Sequence, residues 1–163
     1  MYARTIDKPN ALVRHGTLDV PARADRDYEA AKSYLSHDSV ERSLFDRLEH
    51  AHGRHFHLTI NDRNDDHFDP NTDTIAWDPH SALRTTSGGR QSPALGLGHE
   101  IDHAVERLRT ADRLRARFDA HYDTAEERRV IRGSEAHAAR TLGEGLRHDH
   151  TGTTYRVSSP IAR

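Results

Sequence analysis

The stretch that leaves this chain the fewest choices in folding is Ser92 to Arg109, SPALGLGHEIDHAVERLR. On a wheel of about 100° per residue, Leu97, Ile101, Ala104, Val105 and Leu108 fall in one sector, the apolar stripe of a helix that must bury one side. Ser92 and Pro93 open that helix. A different face carries His99 and His103, one turn apart, with Glu100 at its flank. A helix with nothing but a core side would set solvated Arg or Glu opposite the stripe, as this one does further along at Arg107, Arg113 and Arg115. The chain has to fold around a helix that is apolar on one side and rich in metal-binding side chains on another.

His99-Glu100-Ile101-Asp102-His103 spells H-E-x-x-H. Side chains at i and i+4 project side by side, so two neutral imidazoles reach one zinc ion at about 2.0–2.1 Å, while the glutamate between them stands where it can take a proton from water. With 14 histidines in 163 residues, chance alone yields the bare pattern in about one such sequence in fifteen. Its weight comes from its place on a helix, after the small residues Gly96 and Gly98, with the stripe on the other side. No cysteine occurs, so there is neither a disulfide framework nor a thiolate site, and any metal is held by nitrogen and oxygen.

A catalytic zinc needs a third protein ligand and one open position. Thr124 caps a second helix with Glu126 and Glu127 in its first turn, and the helix continues through EERRVIRGSEAHAARTL to Gly143. Within it Ile131, Ala138 and Leu142 form an apolar line that Glu135 completes. A carboxylate in a core stripe is expensive to bury unless a cation compensates it, so Glu135 is the expected third ligand. Its alternatives are a salt bridge to an arginine and a stripe turned towards solvent. A metzincin would require a histidine where Arg109 stands. Asp119, His121 and Asp123 follow the first helix too loosely, and His137 lies about 160° from the Glu135 face. Asp119 or Asp123 is better suited to orienting a ligand histidine.

The rest of the chain reads as one α+β domain over residues 25–163, preceded by a loose arm over 1–24 that holds Pro9, Gly16 and Pro21. Helices are expected from Asp25 and, capped by Ser39, up to Gly53; the first-motif helix extends to about Phe118. HFHLTIN alternates as a half-buried strand with His55 and His57 facing solvent, and Thr74 to Trp77 is a short edge strand. RTTSGGRQS reads as a flexible loop and the tail after Gly143 as irregular. A formal charge of −2 offers no field for nucleic acid or an anionic membrane, no apolar run is long enough to span a bilayer, and the first residues lack the apolar core of a secretory signal.

In order along the chain, NTDTIAWDP, SPALGLGHEIDHA, EERRVIRGSEAHAARTLGEGLR and a late tyrosine resemble the NleD-like zinc metallopeptidases, type III secretion effectors and toxin domains of larger bacterial secreted proteins. The likeness covers about residues 68–155, and E-x-x-x-A-R-x-L-G-E-x-x-R together with EERRVI is its specific part. It implies a compact zincin-like fold with a small antiparallel sheet or hairpin, and zinc held by His99, His103 and Glu135. It also implies Glu100 as base, hydrolysis of peptide bonds in proteins of a host or competitor cell, and delivery by a specialised secretion system. The sequence departs from the family at Asp102, where an uncharged residue is usual, and in the HDHTGTTY tail.

Zinc chemistry needs a second donor for the oxyanion, for which Tyr155, His148, His150 and Arg147 are available and Tyr155 is preferred; the alternative for Tyr155 is packing of the tail. An exposed strand edge, expected at Thr74 to Asp78, would hold an extended peptide, with Trp77 a core anchor. Two other readings compete: a non-catalytic, zinc-stabilised interaction module, and a metal-dependent nuclease using NDRNDDHFDP, which the acidic balance disfavours.

Overall fold

The computed structural model describes residues 11–106 and 117–163 as a mixed α and β fold. It opens with β1 (Leu12–His15) and β2 (Leu18–Pro21), an antiparallel hairpin turned at Gly16, where φ is 58°. A loose arm was expected over these residues; residues 1–10 of that arm lie outside the described residues. The hairpin has no strong pattern of its own and takes its order from docking beside a later strand.

Next come α1 (Asp25–Leu35) and α2 (Ser39–Glu49). The cap of α2 is Asp38, one residue before the expected Ser39; its carboxylate accepts from the N–H groups of Val40 and Glu41 at 2.9 and 3.0 Å. Then follow β3 (Phe56–Ile60), β4 (His67–Asp69) and β5 (Thr74–Trp77), which complete a sheet in the order β1-β2-β3-β5-β4. β2, β3 and β5 run parallel, with β1 and β4 antiparallel at the edges. The sequence reading expected a small antiparallel sheet or hairpin, and this larger sheet is mixed: parallel neighbours need a long crossover, and α1 and α2 supply it between β2 and β3. It also moves the sheet edge from Thr74–Trp77 to β4.

β6 (Ser81–Thr85) and β7 (Arg90–Gln91) form a hairpin where a flexible loop was expected. The motif helix is α3 (Pro93–Glu106). Its expected extension over 107–116 lies outside the described residues, and Phe118 belongs to β8 (Phe118–Asp119), paired with β9 (Asp123–Thr124). Thr124 caps α4 (Ala125–Val130) as expected, its hydroxyl accepting from the Glu127 N–H at 3.1 Å. The second helix is not continuous: a π turn over Ile131–Glu135, with Gly133 out of helical geometry, separates α4 from α5 (Ala136–Leu142), which ends at Gly143 with φ 68°. The tail returns as β10 (Gly152–Arg156), which pairs with β6 in a three-stranded sheet, so the tail is not wholly irregular.

α3 runs through the middle. Leu97, Ile101, Ala104 and Val105 are fully buried against Phe56, Leu58 and Ile75 of the sheet and Leu44, Phe45 and Leu48 of α2. Two polar contacts fix where α3 begins. The buried Trp77 indole donates to the Pro93 carbonyl at 2.9 Å, and Glu144 accepts from both the N–H and the hydroxyl of Ser92. Gly98 admits α2 close to α3, for a Cβ there would stand 2.4 Å from a carboxylate oxygen of Glu41.

Glu41 is wholly buried, and both its oxygens lack a hydrogen-bond partner among the described residues. Burial, and then the charges of Asp38, Asp102 and Glu135, push its carboxyl up to about 8. The folded chain holds this proton more tightly than the unfolded chain. Its contribution to stability is therefore full below about 4.5 and is lost as pH rises through about 8. Glu41→Gln removes the titration, so its urea midpoint should gain on the parent's steadily over that interval; a difference independent of pH would contradict the assignment.

Candidate metal centre

One turn of α3 sets the His99 and His103 rings edge to face, centroids 4.7 Å apart, with their Nε2 atoms at 3.0 Å. The acid that meets them is Glu127, from the first turn of α4. One of its oxygens lies 3.0 Å from His99 Nε2 and the other 3.1 Å from His103 Nε2. Among the described residues, His99, His103 and Glu127 form a group whose ligand atoms all lie within 4.8 Å of one another.

Glu135 is buried beside this group, as its place in the stripe demanded, but on the other side of the ring. Its carboxylate lies 2.8 Å from His99 Nδ1, and Glu126 stands 3.3 Å from His103 Nδ1. Glu135, the expected third ligand, thus stands against the outer nitrogen of His99 and outside the group of His99, His103 and Glu127. Each imidazole has its outer nitrogen against a carboxylate, which turns the inner nitrogen towards the shared point, the arrangement that usually fixes metal-binding histidines. The π turn carries the chain from Glu127 to Glu135 so that the two acids flank His99; such single turns are frequent at functional sites. Sequence reasoning passed over Glu127 because an acid in the first turn of a capped helix is ordinary complementation of the helix dipole.

The electrostatics call for a cation. Burial alone would lower His99, yet hydrogen bonds to Glu127 and Glu135 outweigh it and raise the imidazole to about 10. Burial would raise Glu135, but His99 and Arg147 hold it below its ordinary value. Acids gathered this closely around two imidazoles favour a cation, and the donor set fits a metal ion, which would bind in place of the imidazole protons. The separations of 3.0–3.1 Å need open only slightly to reach the roughly 3.4 Å between ligands of a tetrahedral zinc with ~2.1 Å bonds.

Further groups hold this arrangement. Gln91 Nε2 donates to Glu135 at 2.8 Å and Arg147 Nη1 at 3.3 Å. Asp102 is buried and accepts from Ser134 and from Arg129 Nη1 at 2.9 Å; Arg129 also donates to Glu126 at 2.7 and 3.0 Å. Asp102 thereby ties α4 and the π turn to α3.

Glu100 is buried and lines a cleft of about 430 Å³ with His99 and His103; the edge strand β4 and Pro70 form one wall and His150 another. Asp66 lies on the same wall, raised to about 8 mainly by burial, with Glu100 among the charges that add to it. A second cavity of about 220 Å³, lined by Leu83, Gln91, Arg147 and Thr154, shares His99 and Glu100 with the first.

The tail residues divide. His150 Nε2 is 3.3 Å from Glu127, and its Nδ1 is 2.6 Å from Asp123, so Asp123 does orient a histidine, though not one of the motif. The contact with Glu127 raises the His150 imidazole above its usual value against the opposing effect of burial. Arg147 Nη2 donates to the His150 carbonyl at 2.9 Å. Tyr155 lines neither cavity: strand alternation gives that face to Thr154, and the Tyr155 hydroxyl is buried without a hydrogen-bond partner among the described residues. His148 is exposed, and His137 is bound to Asp38 at 2.6 Å. The acids of NDRNDDHFDP hold turns: Asp69 accepts from Asn71 and Thr72, and Asp66 from the Asp78 N–H. Among the described residues they form no metal-binding group.

The chain finds no match among models of protein families, curated proteins or solved structures.

Glu127→Gln should abolish high-affinity metal binding at His99 and His103. Glu135→Gln, which frees only an outer nitrogen, should weaken it by about 10–100-fold. Metal titration monitored by calorimetry separates the two, and equal losses would contradict the division of roles.

Proposed function

We propose that this chain is a zinc-dependent endopeptidase of the gluzincin type, with His99, His103 and Glu127 as ligands. The observation that carries this reading is the convergence of two helical imidazoles and one carboxylate beside a cleft that also holds Glu100. Zinc bound there supplies a Lewis acid for the scissile carbonyl and makes water a competent nucleophile near neutral pH.

The chain's own residues do the rest. Glu100 accepts the proton of the attacking water and returns it to the leaving amine. Glu135 and Glu126 hold the ligand rings in one orientation. His150 lines the cleft and would turn its Nε2 from Glu127 to the oxyanion, and Arg147 stands behind it with a buried Nε that has no hydrogen-bond partner among the described residues. They take the place expected of Tyr155. The free edge of β4 beside the cleft pairs with an extended peptide through main-chain hydrogen bonds.

The resemblance to NleD-like peptidases supports the same conclusion, because several of its most specific residues lie at or beside this site. Glu126 and Glu127 face the histidines, Glu135 and Arg147 lie behind them, and Glu144 holds the start of α3. With this resemblance go a zincin-like fold, substrates among the proteins of a host or competitor cell, and delivery by a specialised secretion system. No helix among the described residues is long and apolar enough to cross a membrane.

Glu100→Gln tests the whole reading. It should retain zinc while cleavage of a mixed proteome, read as new protein N-termini, falls by about 10²–10⁴-fold; undiminished cleavage would overturn the role of Glu100, and no cleavage by the zinc-loaded parent would leave a zinc-stabilised interaction module instead. His150→Ala should lower kcat by about 10²–10³ with little change in KM, whereas Tyr155→Phe should leave kcat unchanged; the reverse outcome would restore the tyrosine.

A further inference from the structure

A second cluster of ligand-type side chains lies on the outer face of the five-stranded sheet. Strand alternation puts His55 and His57 on the same side, away from the core residues Phe56 and Leu58, and their rings meet edge to face with centroids 5.0 Å apart. The register of the parallel β2–β3 pair sets Asp19 beside His57. One carboxylate oxygen of Asp19 stands 2.7 Å from His55 Nε2 and 4.0 Å from His57 Nδ1. The other accepts from Arg14 Nε at 3.1 Å, on β1, where Arg14 is the cross-strand partner of Asp19.

We propose that Asp19, His55 and His57 form a second binding site, for a divalent transition-metal ion such as zinc or nickel. Two imidazoles and a carboxylate are the donors that such ions take in a site without sulfur. Asp19 is buried, only 7% exposed, while His55 and His57 keep 39% and 47% of their side chains exposed, so an ion can enter from solvent. Arg14 fixes the carboxylate from behind and leaves the second oxygen turned to the histidines. The His57 ring makes no hydrogen bond among the described residues, which leaves its nitrogens free for an ion. The observed 2.7 and 4.0 Å bracket the roughly 3.4 Å between ligands on a tetrahedral ion with ~2.1 Å bonds.

Such an ion would act as a brace. The register between β2 and β3 consists of Leu18↔Phe56 and Asp19↔His57, so the N-terminal hairpin joins the sheet through a short parallel pairing. A ligand from each strand on one ion would lock that pairing.

The site is tested apart from the α3 centre, in full-length His103→Gln/Glu127→Gln protein titrated with zinc chloride. Zinc should still bind, shift or broaden the ring signals of His55 and His57 in NMR spectra, and raise the melting temperature. Adding His57→Gln should weaken this binding by more than about tenfold and remove the rise. The same ring signals are followed in the unsubstituted chain, where a second equivalent of zinc should move them even if the double variant folds poorly. Ring signals of His55 and His57 that stay unmoved in excess zinc, or equal binding with and without His57→Gln, would overturn the proposal.

Discussion

The structure depends on how two imidazoles are buried among carboxylates. Glu127 meets the inner nitrogens of His99 and His103, Glu135 and Glu126 meet the outer ones, and Glu100 adds a fourth acid beside them. Such a concentration of negative charge is sustainable away from water only around a positive one, a proton or a metal ion. Partly satisfied, it would be costly; fully satisfied, it holds its members in a single arrangement. The surrounding polar groups serve that end: Gln91 and Arg147 hold Glu135, and Arg129 bridges Asp102 and Glu126.

This arrangement requires α3 to be fixed in depth and rotation. Its apolar stripe sets the rotation by packing on the sheet and α2. The contacts of Pro93 with Trp77 and of Ser92 with Glu144 set its start. Gly98 sets the distance to α2 by letting Glu41 approach. Asp102 acts as an anchor, since through Arg129 and Ser134 it fastens the segment that delivers Glu127 and Glu135.

The candidate site was readable in part. An H-E-x-x-H pattern opposite an apolar stripe located His99, Glu100 and His103, and the stripe of the second helix located Glu135 as a buried acid. That Glu127 meets the inner nitrogens and Glu135 an outer one was not readable, because both are acids of one expected helix and only the π turn and the facing imidazoles distinguish them. Tyr155 was preferred in the tail for its chemistry, yet β10 turns Thr154 to the second cavity, and the tail residue that lines the cleft is His150. Neither the sign of that strand's alternation nor its register could be drawn from HDHTGTTYR alone.

What the sequence determined by itself was local and periodic: α1, α2, the strands at Phe56–Ile60 and Thr74–Trp77, the Thr124 cap, the break at Gly143, and the two histidines one turn apart. Each rests on a few neighbouring residues and on backbone geometry that repeats every 2 or 3.6 residues. The tertiary structure decided what depends on partners far along the chain. It made strands of residues 12–21 by docking them beside β3, placed β5 inside the sheet and β4 at its edge, and turned the loop at 84–92 and the tail into paired strands. It also chose which glutamate faces the imidazoles. A strand's neighbours and a buried charge's partner are set by the packing of whole elements, and no window of adjacent residues contains that information.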